Sequence, residues 1–369
     1  MARPVKVEIN KGAFMHNLSL AREKADGAGL MPVLKADAYG HGLAELCRWV
    51  PEGDTIALTS IDEACIVRGQ GIKNTVLLLE GCFSADELNW CAANNIETVV
   101  HSQHQIDDLA RFCESVSNTG HLSVWIKFDT GMHRLGFPCD QAGAALLAVK
   151  RLDRVKLCGA LTHMACADDI ANRKTGQQML LFEEKVLAPY SWPAVSLANS
   201  AVLMNYPDNL HNLVRPGIML YGGSCDVNKT GVELGLRAVM SFRSEIIAIR
   251  TIGAGESVGY GGRWVSTRES KVGVVAVGYA DGYPRHAPDG TPVWLNGVIA
   301  PMVGRVSMDM ITVDLTDVPE AKVADRVELW GENLSVDLVA NHCETIAYEL
   351  MTSITRRVPK IYPDLSIIR

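Results

Sequence analysis

Short apolar runs alternate with helix-like segments up to about residue 225, and this alternation constrains the fold more than any other feature. Segments with apolar residues at helical spacing, such as Phe14, Leu18 and Ala21, separate runs of strand-like composition. The strand-like runs are residues 31–36, 55–60, 75–80, 97–102, 123–129, 157–164, 194–200 and 213–219. Strands alternating with helices indicate βαβ units, whose strands lie parallel in one sheet.

Eight parallel strands, each joined to a helix, predict an α/β fold with an N-terminal (β/α)8 barrel of TIM type. An open doubly wound sheet is the alternative. That sheet often carries a Gly-x-Gly-x-x-Gly sequence after its first strand, and none follows the first strand here. We therefore expect a barrel domain over residues 10–228.

The pattern changes after residue 223 to short strand-like runs separated by turn pairs. Asp289-Gly290 and Asn296-Gly297 both predict hairpin turns, and apolar residues flank the second pair on each side. We predict a mainly β C-terminal domain over residues 229–369, with which residues 1–9 could pack. A cleft between two domains suits a small-molecule site.

Charge and composition argue against several classes of partner. The net charge of −7 comes without a basic run, so nucleic acid is not expected. The N-terminus lacks the apolar core of a signal peptide and no stretch approaches the roughly 20 apolar residues of a membrane span, which predicts a cytoplasmic protein without membrane contact. No Cys or His cluster has zinc-site spacing, so no metal is predicted.

Lys35 is the first candidate for chemistry. It opens the sequence KADAYGHG at residues 35–42, at the C-terminal end of the first predicted strand, where barrel enzymes carry their active sites. A lysine that emerges from an apolar strand has a desolvated amine with a lowered pKa, which makes it nucleophilic towards an aldehyde. A surface lysine whose stem covers apolar residues is the alternative interpretation.

The KADAYGHG sequence closely resembles the cofactor-lysine motif of bacterial alanine racemases, pyridoxal-phosphate enzymes of the barrel fold type, and further segments match that family along essentially the whole chain. The resemblance implies interconversion of L-alanine and D-alanine, for the cell wall or for alanine catabolism. It also implies that Lys35 holds pyridoxal 5'-phosphate as a Schiff base and acts as one catalytic base.

The sequence GESVGYGG at residues 255–262 resembles the segment that supplies the family's second base, here Tyr260. Racemisation removes a proton from one face of the α-carbon and returns one to the other, so two opposed bases are the simplest solution. Because the ordinary pKa of tyrosine is about 10, a positive or hydrogen-bonding neighbour must favour its phenolate. His163 and Arg215 are the candidates for that neighbour.

Two further segments, LANSA at 197–201 and VRPGI at 214–218, resemble cofactor-binding segments and lie at the strands where barrels commonly bind phosphate. Arg215 resembles the family arginine that donates to the pyridine nitrogen. Because arginine keeps its proton, the ring nitrogen should stay unprotonated, which weakens the cofactor as an electron sink. The implied cofactor-binding residues are Lys35, Tyr39, His163, Asn199, Ser200, Arg215, Gly217, Ile218 and Tyr348.

The substrate contacts implied by the resemblance lie in two segments. Arg134, within DTGMHRLGF at 129–137, would bind the substrate carboxylate through its guanidinium fork. Lys127 matches a lysine that is often carbamylated in the family and orients this arginine; an unmodified structural lysine is the alternative. Met308 would meet the carboxylate through its backbone. The residues implied to line an entrance corridor are Tyr279, Arg285, Arg305 and Asp309.

The family architecture implies a head-to-tail homodimer in which Tyr260 of one chain reaches Lys35 of the other. A racemase for serine or for a broader set of amino acids is the closest alternative, because only pocket volume separates it from an alanine enzyme. A decarboxylase of the same two-domain plan would place an acidic residue where Arg215 lies. A non-catalytic pyridoxal-phosphate carrier would lack the β domain that contains Tyr260.

Overall fold

The structure, a computed structural model, describes residues 3–114 and 120–363. Residues 1–2, in the segment predicted to pack with the β domain, and residues 364–369, at the end of that domain, lie outside the described residues. The described chain begins with strand β1 (Lys6–Ile9) and helix α1 (Lys11–Lys24). The helix starts after Asn10 because the Asn10 side chain accepts a hydrogen bond from the Ala13 N–H at 3.0 Å.

Eight parallel strands form the predicted barrel. They are β2 (Gly29–Leu30), β3 (Ile56–Leu58), β4 (Val76–Leu78), β5 (Ile96–Val100), β6 (Leu122–Asp129), β8 (Val155–Leu161), β9 (Val195–Ser196) and β10 (Leu213–Val214), with the two-residue strand β7 (Phe137–Pro138) beside the end of β6. Six lie in the order β3-β4-β5-β6-β8-β9, and β10 pairs with β2. Two bridges, Val33 with Ala57 and Asn199 with Arg215, join this pair to the six and close the barrel.

Helices connect the barrel strands as the sequence predicts. They are α2 (Lys35–Tyr39), α3 (Leu43–Leu46), α4 (Ile61–Gly69), α5 (Ala85–Ala93), α6 (Gln103–Glu114), α7 (Ala142–Lys150), α8 (Lys174–Phe182), α9 (Ser200–Asn205) and α10 (Ile218–Tyr221). Serine caps begin α4 and α5, with acidic residues in the first turn of each. Among the helices of the described residues, none is long and apolar enough to cross a membrane.

Seven of the eight predicted strands end earlier than expected, and two of these differences bear most directly on the candidate site. The predicted strand 213–219 keeps its ladder only through Val214, because Pro216 cannot donate a hydrogen bond and helix α10 begins at Ile218. The predicted strand 31–36 is a ladder at Gly29–Leu30 with an isolated bridge at Val33. Lys35 therefore begins a turn and does not end a strand.

The C-terminal part is mainly β, as predicted. Its longest strand, β11 (Met240–Ile252), pairs with β1, β14 (Ser270–Val275) and β18 (Arg326–Trp330). The other elements are β12 (Ser257–Val258), β13 (Trp264–Val265), β15 (Pro292–Leu295), β16 (Val298–Pro301), β17 (Ile311–Asp314), β19 (Lys360–Ile361), α11 (Val336–His342) and α12 (Ala347–Thr352). Phe242 and Trp330 pack in its core with ring centroids 4.8 Å apart.

One of the two hairpin predictions is confirmed. Asn296 and Gly297, with φ angles of 50° and 87°, form the two-residue loop between β15 and β16, as a type I′ turn requires. Asp289-Gly290 forms a turn, but no strand precedes it, so the hairpin prediction there is wrong. The Asp289 carboxylate instead accepts hydrogen bonds from the Gly304 N–H at 2.6 Å and from Arg263. The turn is also anchored by the Gly290 N–H, which donates to the Met302 carbonyl at 2.8 Å.

Candidate active site

A cavity of about 600 Å³ lies at the C-terminal ends of the barrel strands. Residues from the segments that follow nearly all of the barrel strands form its wall, as expected of a barrel active site. Eleven of the sequence-predicted residues line it: Lys35, Tyr39, Lys127, Arg134, His163, Asn199, Ser200, Arg215, Gly217, Ile218 and Tyr348. Residues distant in sequence therefore converge on one space.

Lys35 is presented by an unusual turn. The four residues that follow it, Ala36 to Tyr39, all have positive φ angles between 52° and 55°, so the chain makes one turn of left-handed helix. Residues with a Cβ pay roughly 1–2 kcal/mol each for this conformation. The turn persists because its polar groups are bonded: the Ala36 N–H donates to Glu63 at 2.6 Å, and Asp37 accepts from the Leu43 N–H at 2.8 Å.

The side chain of His41 also stabilises this turn. Its ring is fully buried, and Nδ1 donates to the backbone carbonyls of Tyr39 at 2.8 Å and Ala38 at 3.1 Å. Burial lowers the pKa of His41 to about 4, so the ring is neutral at pH 7. The neighbouring glycines leave no room for a side chain: a Cβ at Gly40 would lie 2.1 Å from the Met351 carbonyl oxygen. The KADAYGHG sequence thus encodes a specific backbone shape.

Ser200, Gly217 and Tyr39 form a small polar cradle at the ends of β9 and β10. The Gly217 N–H donates to the Ser200 hydroxyl at 2.8 Å. A Cβ at position 217 would lie 2.6 Å from the Tyr39 hydroxyl, so the close approach requires glycine. Two hydroxyls beside the start of helix α10 are suited to hold an anionic group such as phosphate.

Arg215 is buried in the wall of the site and is fixed by three neighbouring groups. Its guanidinium donates to the Ser196 hydroxyl and to the Thr162 carbonyl, both at 2.6 Å, and Nη2 lies 3.4 Å from Nδ1 of His163. Burial lowers the pKa of Arg215 to about 10, which leaves it charged at pH 7. Burial and the Arg215 charge together hold the pKa of His163 well below its usual range. His163 is therefore neutral.

Lys127 lies near the end of β6 with only 8% of its surface exposed. Burial, followed by the charges of Arg215 and Arg134, lowers the pKa of Lys127 to about 8. At pH 8 about half of these amines are neutral, compared with about 0.3% for a lysine of ordinary pKa. A neutral primary amine can react with an electrophilic carbon, so Lys127 is chemically distinct from a surface lysine.

The remaining predicted residues do not line this cavity. Tyr260 begins a short turn of the β domain and is 69% exposed, and Tyr279 and Met308 are also exposed. Tyr279 and Met308 lie close together, since the Tyr279 N–H donates to the Ser307 carbonyl at 3.1 Å. Arg285, Arg305 and Asp309 also belong to the β domain and are absent from the cavity wall. A single chain therefore does not bring Tyr260 to Lys35.

The sequence analysis missed several wall residues. Thr59 and Glu80 follow β3 and β4, and Ile346, Glu349 and Thr352 lie at or in helix α12 beside Tyr348. The i, i+4 spacing of Tyr348 and Thr352 could have indicated a shared helix face. A second cavity of about 450 Å³ shares part of this wall and continues to carboxylates that the sequence analysis also missed, those of Asp168, Asp226 and Asp337.

Comparison with known proteins identifies the family. A family model of the alanine racemase N-terminal domain matches residues 9–225, and one of the C-terminal domain matches residues 239–362. The alanine racemase of Vibrio parahaemolyticus is 43% identical over 98% of this chain and 99% of its own length. The chain belongs to the alanine racemase family.

Solved alanine racemases support the same assignment. The crystal structure of the biosynthetic alanine racemase from Pseudomonas aeruginosa has a TM-score of 0.94 and 40% identity, over 98% of this chain and all of that one. The alanine racemase of Marinobacter nauticus is 43% identical over 98% of this chain and its entire length. The chain is thus an isomerase of the alanine racemase class, a family that uses pyridoxal phosphate.

The buried neutral His41 predicts how stability depends on pH. The pKa of His41 is about 4 in the folded chain and about 6.5 in an unfolded one, so the unfolded chain binds the proton first. The contribution of His41 to the free energy of unfolding is therefore fully present above pH 6.5 and is lost as the pH falls towards 4. This loss is on the order of 3 kcal/mol. His41→Gln should be less stable at pH 7 but lose less on acidification, as measured by urea unfolding at pH 7, 6 and 5.

His121 provides the matched control, because its side chain is exposed. His121→Gln should unfold with the pH dependence of the parent chain. An His41→Gln protein whose unfolding free energy falls with pH as steeply as that of the parent would contradict the assignment of His41 as a buried neutral group.

Proposed function

We propose that this chain interconverts L-alanine and D-alanine by a two-base mechanism, with pyridoxal 5'-phosphate held in the barrel cavity. One observation supports this most directly: Lys35, the charged Arg215 and the Ser200–Gly217–Tyr39 cradle converge on the same cavity. A lysine amine, a cationic donor and an anion cradle are what a phosphorylated pyridine aldehyde requires. D-alanine for wall synthesis and alanine catabolism would both draw on this site.

The residues present fit that cofactor. The hydroxyls of Ser200 and Tyr39, with the backbone at Gly217 and Ile218, would hold the phosphate, while Lys35 would hold the aldehyde end. Arg215 would donate to the ring nitrogen and keep its own proton, because its pKa stays near 10. When bound, pyridoxal phosphate draws electrons from the substrate and acidifies the α-proton. Asn199, His163 and Tyr348 would line the ring.

The proton transfers would be shared between two chains. Lys35 Nζ would accept or donate the α-proton on one face, and the Tyr260 hydroxyl would do so on the other. Tyr260 is exposed and does not line the cavity of its own chain, which supports a head-to-tail homodimer in which it enters the partner's cavity. We propose that the β domain of residues 229–369 supplies this surface and that the barrel of residues 10–228 supplies the cavity.

The substrate carboxylate would be bound from both chains. Arg134 is part of the cavity wall and has a side chain suited to a carboxylate fork. The backbone at Met308 would meet the same carboxylate from the partner. Four residues of the β domain would line the corridor that leads to the site, and the first three of them are exposed: Tyr279, Arg285, Arg305 and Asp309.

Replacing Lys35 tests the central proposal. The circular dichroism of L-alanine should decay in the presence of the purified protein, and Lys35→Ala should slow this decay roughly 10²–10⁴-fold because one base is lost. Lys150→Ala is the control, since Lys150 is an exposed lysine at the end of α7. Unchanged decay with Lys35→Ala would overturn the proposal, and faster turnover of serine than of alanine would assign the chain to the broader racemases.

Mixed dimers test the shared site. Homodimers of Lys35→Ala chains and homodimers of Tyr260→Phe chains should both have strongly reduced activity, because every site in them lacks one base. A heterodimer purified through two different affinity tags contains one complete site and should recover up to half the parent activity per dimer. An inactive heterodimer would contradict sharing of the bases between chains.

We also propose that Lys127 is carbamylated. Its neutral amine would attack the carbon of CO2, forming an N–C bond, and the nitrogen would lose a proton to solvent to leave a carbamate anion near Arg134. Protein equilibrated with carbon-13 bicarbonate at pH 8 should show a carbamate carbon resonance that is lost in Lys127→Met and kept in Lys150→Ala. A resonance that persists in Lys127→Met would assign the carbamate to another amine.

A further inference from the structure

Residues 355–362, close to the end of the described chain, contact both halves of the proposed machinery. We call it the C-terminal segment. Its strand β19 pairs in parallel with β1 at the edge of the β sheet, with Lys360 opposite Val7. At one end it binds the loops that carry Tyr279 and Met308, and at the other end it binds the left-handed turn after Lys35.

Arg357 holds the β-domain loops through two carboxylates. Its Nε lies 2.8 Å from Asp281, whose side chain is fully buried, and its Nη2 donates to Asp309 at 2.5 Å. Asp281 also accepts from the Gly278 N–H at 2.9 Å, and Arg3 donates to the same carboxylate. One guanidinium therefore bridges the turn that carries Tyr279 and the loop that carries Met308.

These two loops leave little freedom for alternative positions. The Ala280 N–H donates to the Met308 carbonyl at 3.0 Å, and a Cβ at Gly278 would lie 2.3 Å from the Ser307 carbonyl oxygen. The Thr355 hydroxyl donates to the Ala280 carbonyl at 2.8 Å. The position of Tyr279 relative to Met308 thus depends on contacts that Arg357 and its neighbours complete.

Lys360 and Tyr362 contact the turn that presents Lys35. Lys360 pairs with Asp37, the second residue of the left-handed turn, and the Tyr362 hydroxyl donates to the His41 carbonyl at 2.9 Å. A Cβ at Gly42 would lie 1.9 Å from the Tyr362 hydroxyl, so this contact is also built into the backbone. The Tyr362 ring is kept in place by an edge contact with Trp49.

We propose that the C-terminal segment supplies positioning residues for both sides of the racemisation site: Arg357 for the loops that carry Tyr279 and Met308, and Lys360 with Tyr362 for the turn that presents Lys35. This inference rests on the proposed shared site. If bases are exchanged between chains, the two ends of one C-terminal segment serve two different active sites. Substitutions at the two ends of the segment in one chain should then affect different active sites of the dimer.

A heterodimer with one complete site separates the two ends. In it, the chain with Tyr260→Phe supplies Lys35, and the chain with Lys35→Ala supplies Tyr260. Arg357→Met should lower kcat/KM about 10- to 100-fold when it is added to the Lys35→Ala chain, because small misplacements of contacting groups are costly. The same substitution on the Tyr260→Phe chain should be silent, which makes each placement the control for the other.

The opposite dependence is expected at the other end of the segment. Lys360→Met combined with Tyr362→Phe should lower kcat/KM about fivefold when placed on the Tyr260→Phe chain, through loss of one hydrogen bond and one partly exposed ion pair. It should be silent on the Lys35→Ala chain. Arg357→Lys should recover part of the Arg357→Met loss, because it restores the charge but not the fork that reaches two carboxylates.

The reference heterodimer carries neither segment substitution. If it is active and a segment substitution lowers kcat/KM equally on either chain, the inference is overturned, because a folding defect would affect both chains alike. A homodimer with Arg357→Met in both chains and with Lys35 and Tyr260 intact provides a separate test. An unchanged kcat/KM in this homodimer would overturn the inference whether or not the chains share their sites. An inactive reference heterodimer would instead count against the shared site itself. Thermal midpoints that stay close to the parent value, together with crossed effects, would support the proposal.

Discussion

The left-handed turn after Lys35 is the constraint on which the candidate site depends. Four successive residues with side chains occupy a backbone region that costs roughly 1–2 kcal/mol per residue, so on the order of 4–8 kcal/mol must be offset by contacts around the turn. Those contacts come from Glu63 in α4, from the buried ring of His41 and from Tyr362 near the end of the described chain. Strain of this size persists only where the surroundings determine it from several sides.

Because these contacts span the sequence, the position of Lys35 is a property of the folded chain and not of the local motif. Glu63 must be placed by α4, and Tyr362 must be placed by the pairing of β19 with β1 in the β sheet. The β domain therefore does more than carry Tyr260. It also completes the barrel turn that presents the opposite base of the proposed mechanism.

The barrel and the β domain were predictable from sequence because burial on both sides of a parallel strand leaves a continuous apolar run, and turn pairs such as Asn296-Gly297 have few conformations. The residues at which the strands end were not predictable from sequence. Pro216 stops a ladder that its apolar neighbours would continue, and Ala36 to Tyr39 contain no glycine that would indicate a left-handed turn. The residues of the cavity wall were predicted from the family resemblance. The contact between Arg357 and Asp281 was not predictable, because no sequence pattern near either residue indicates it.

The electrostatics of the cavity refine the role of its histidine. Lys35, Lys127, Arg134 and Arg215 all line the wall, and burial among these cations keeps His163 neutral. Of the two residues that the sequence suggested as neighbours favouring a tyrosine phenolate, only Arg215 therefore carries a charge. His163 lies 3.4 Å from Arg215 and contributes no charge of its own. The same excess of positive charge favours entry of a phosphate and a carboxylate, the two anionic groups that the proposed reaction brings together.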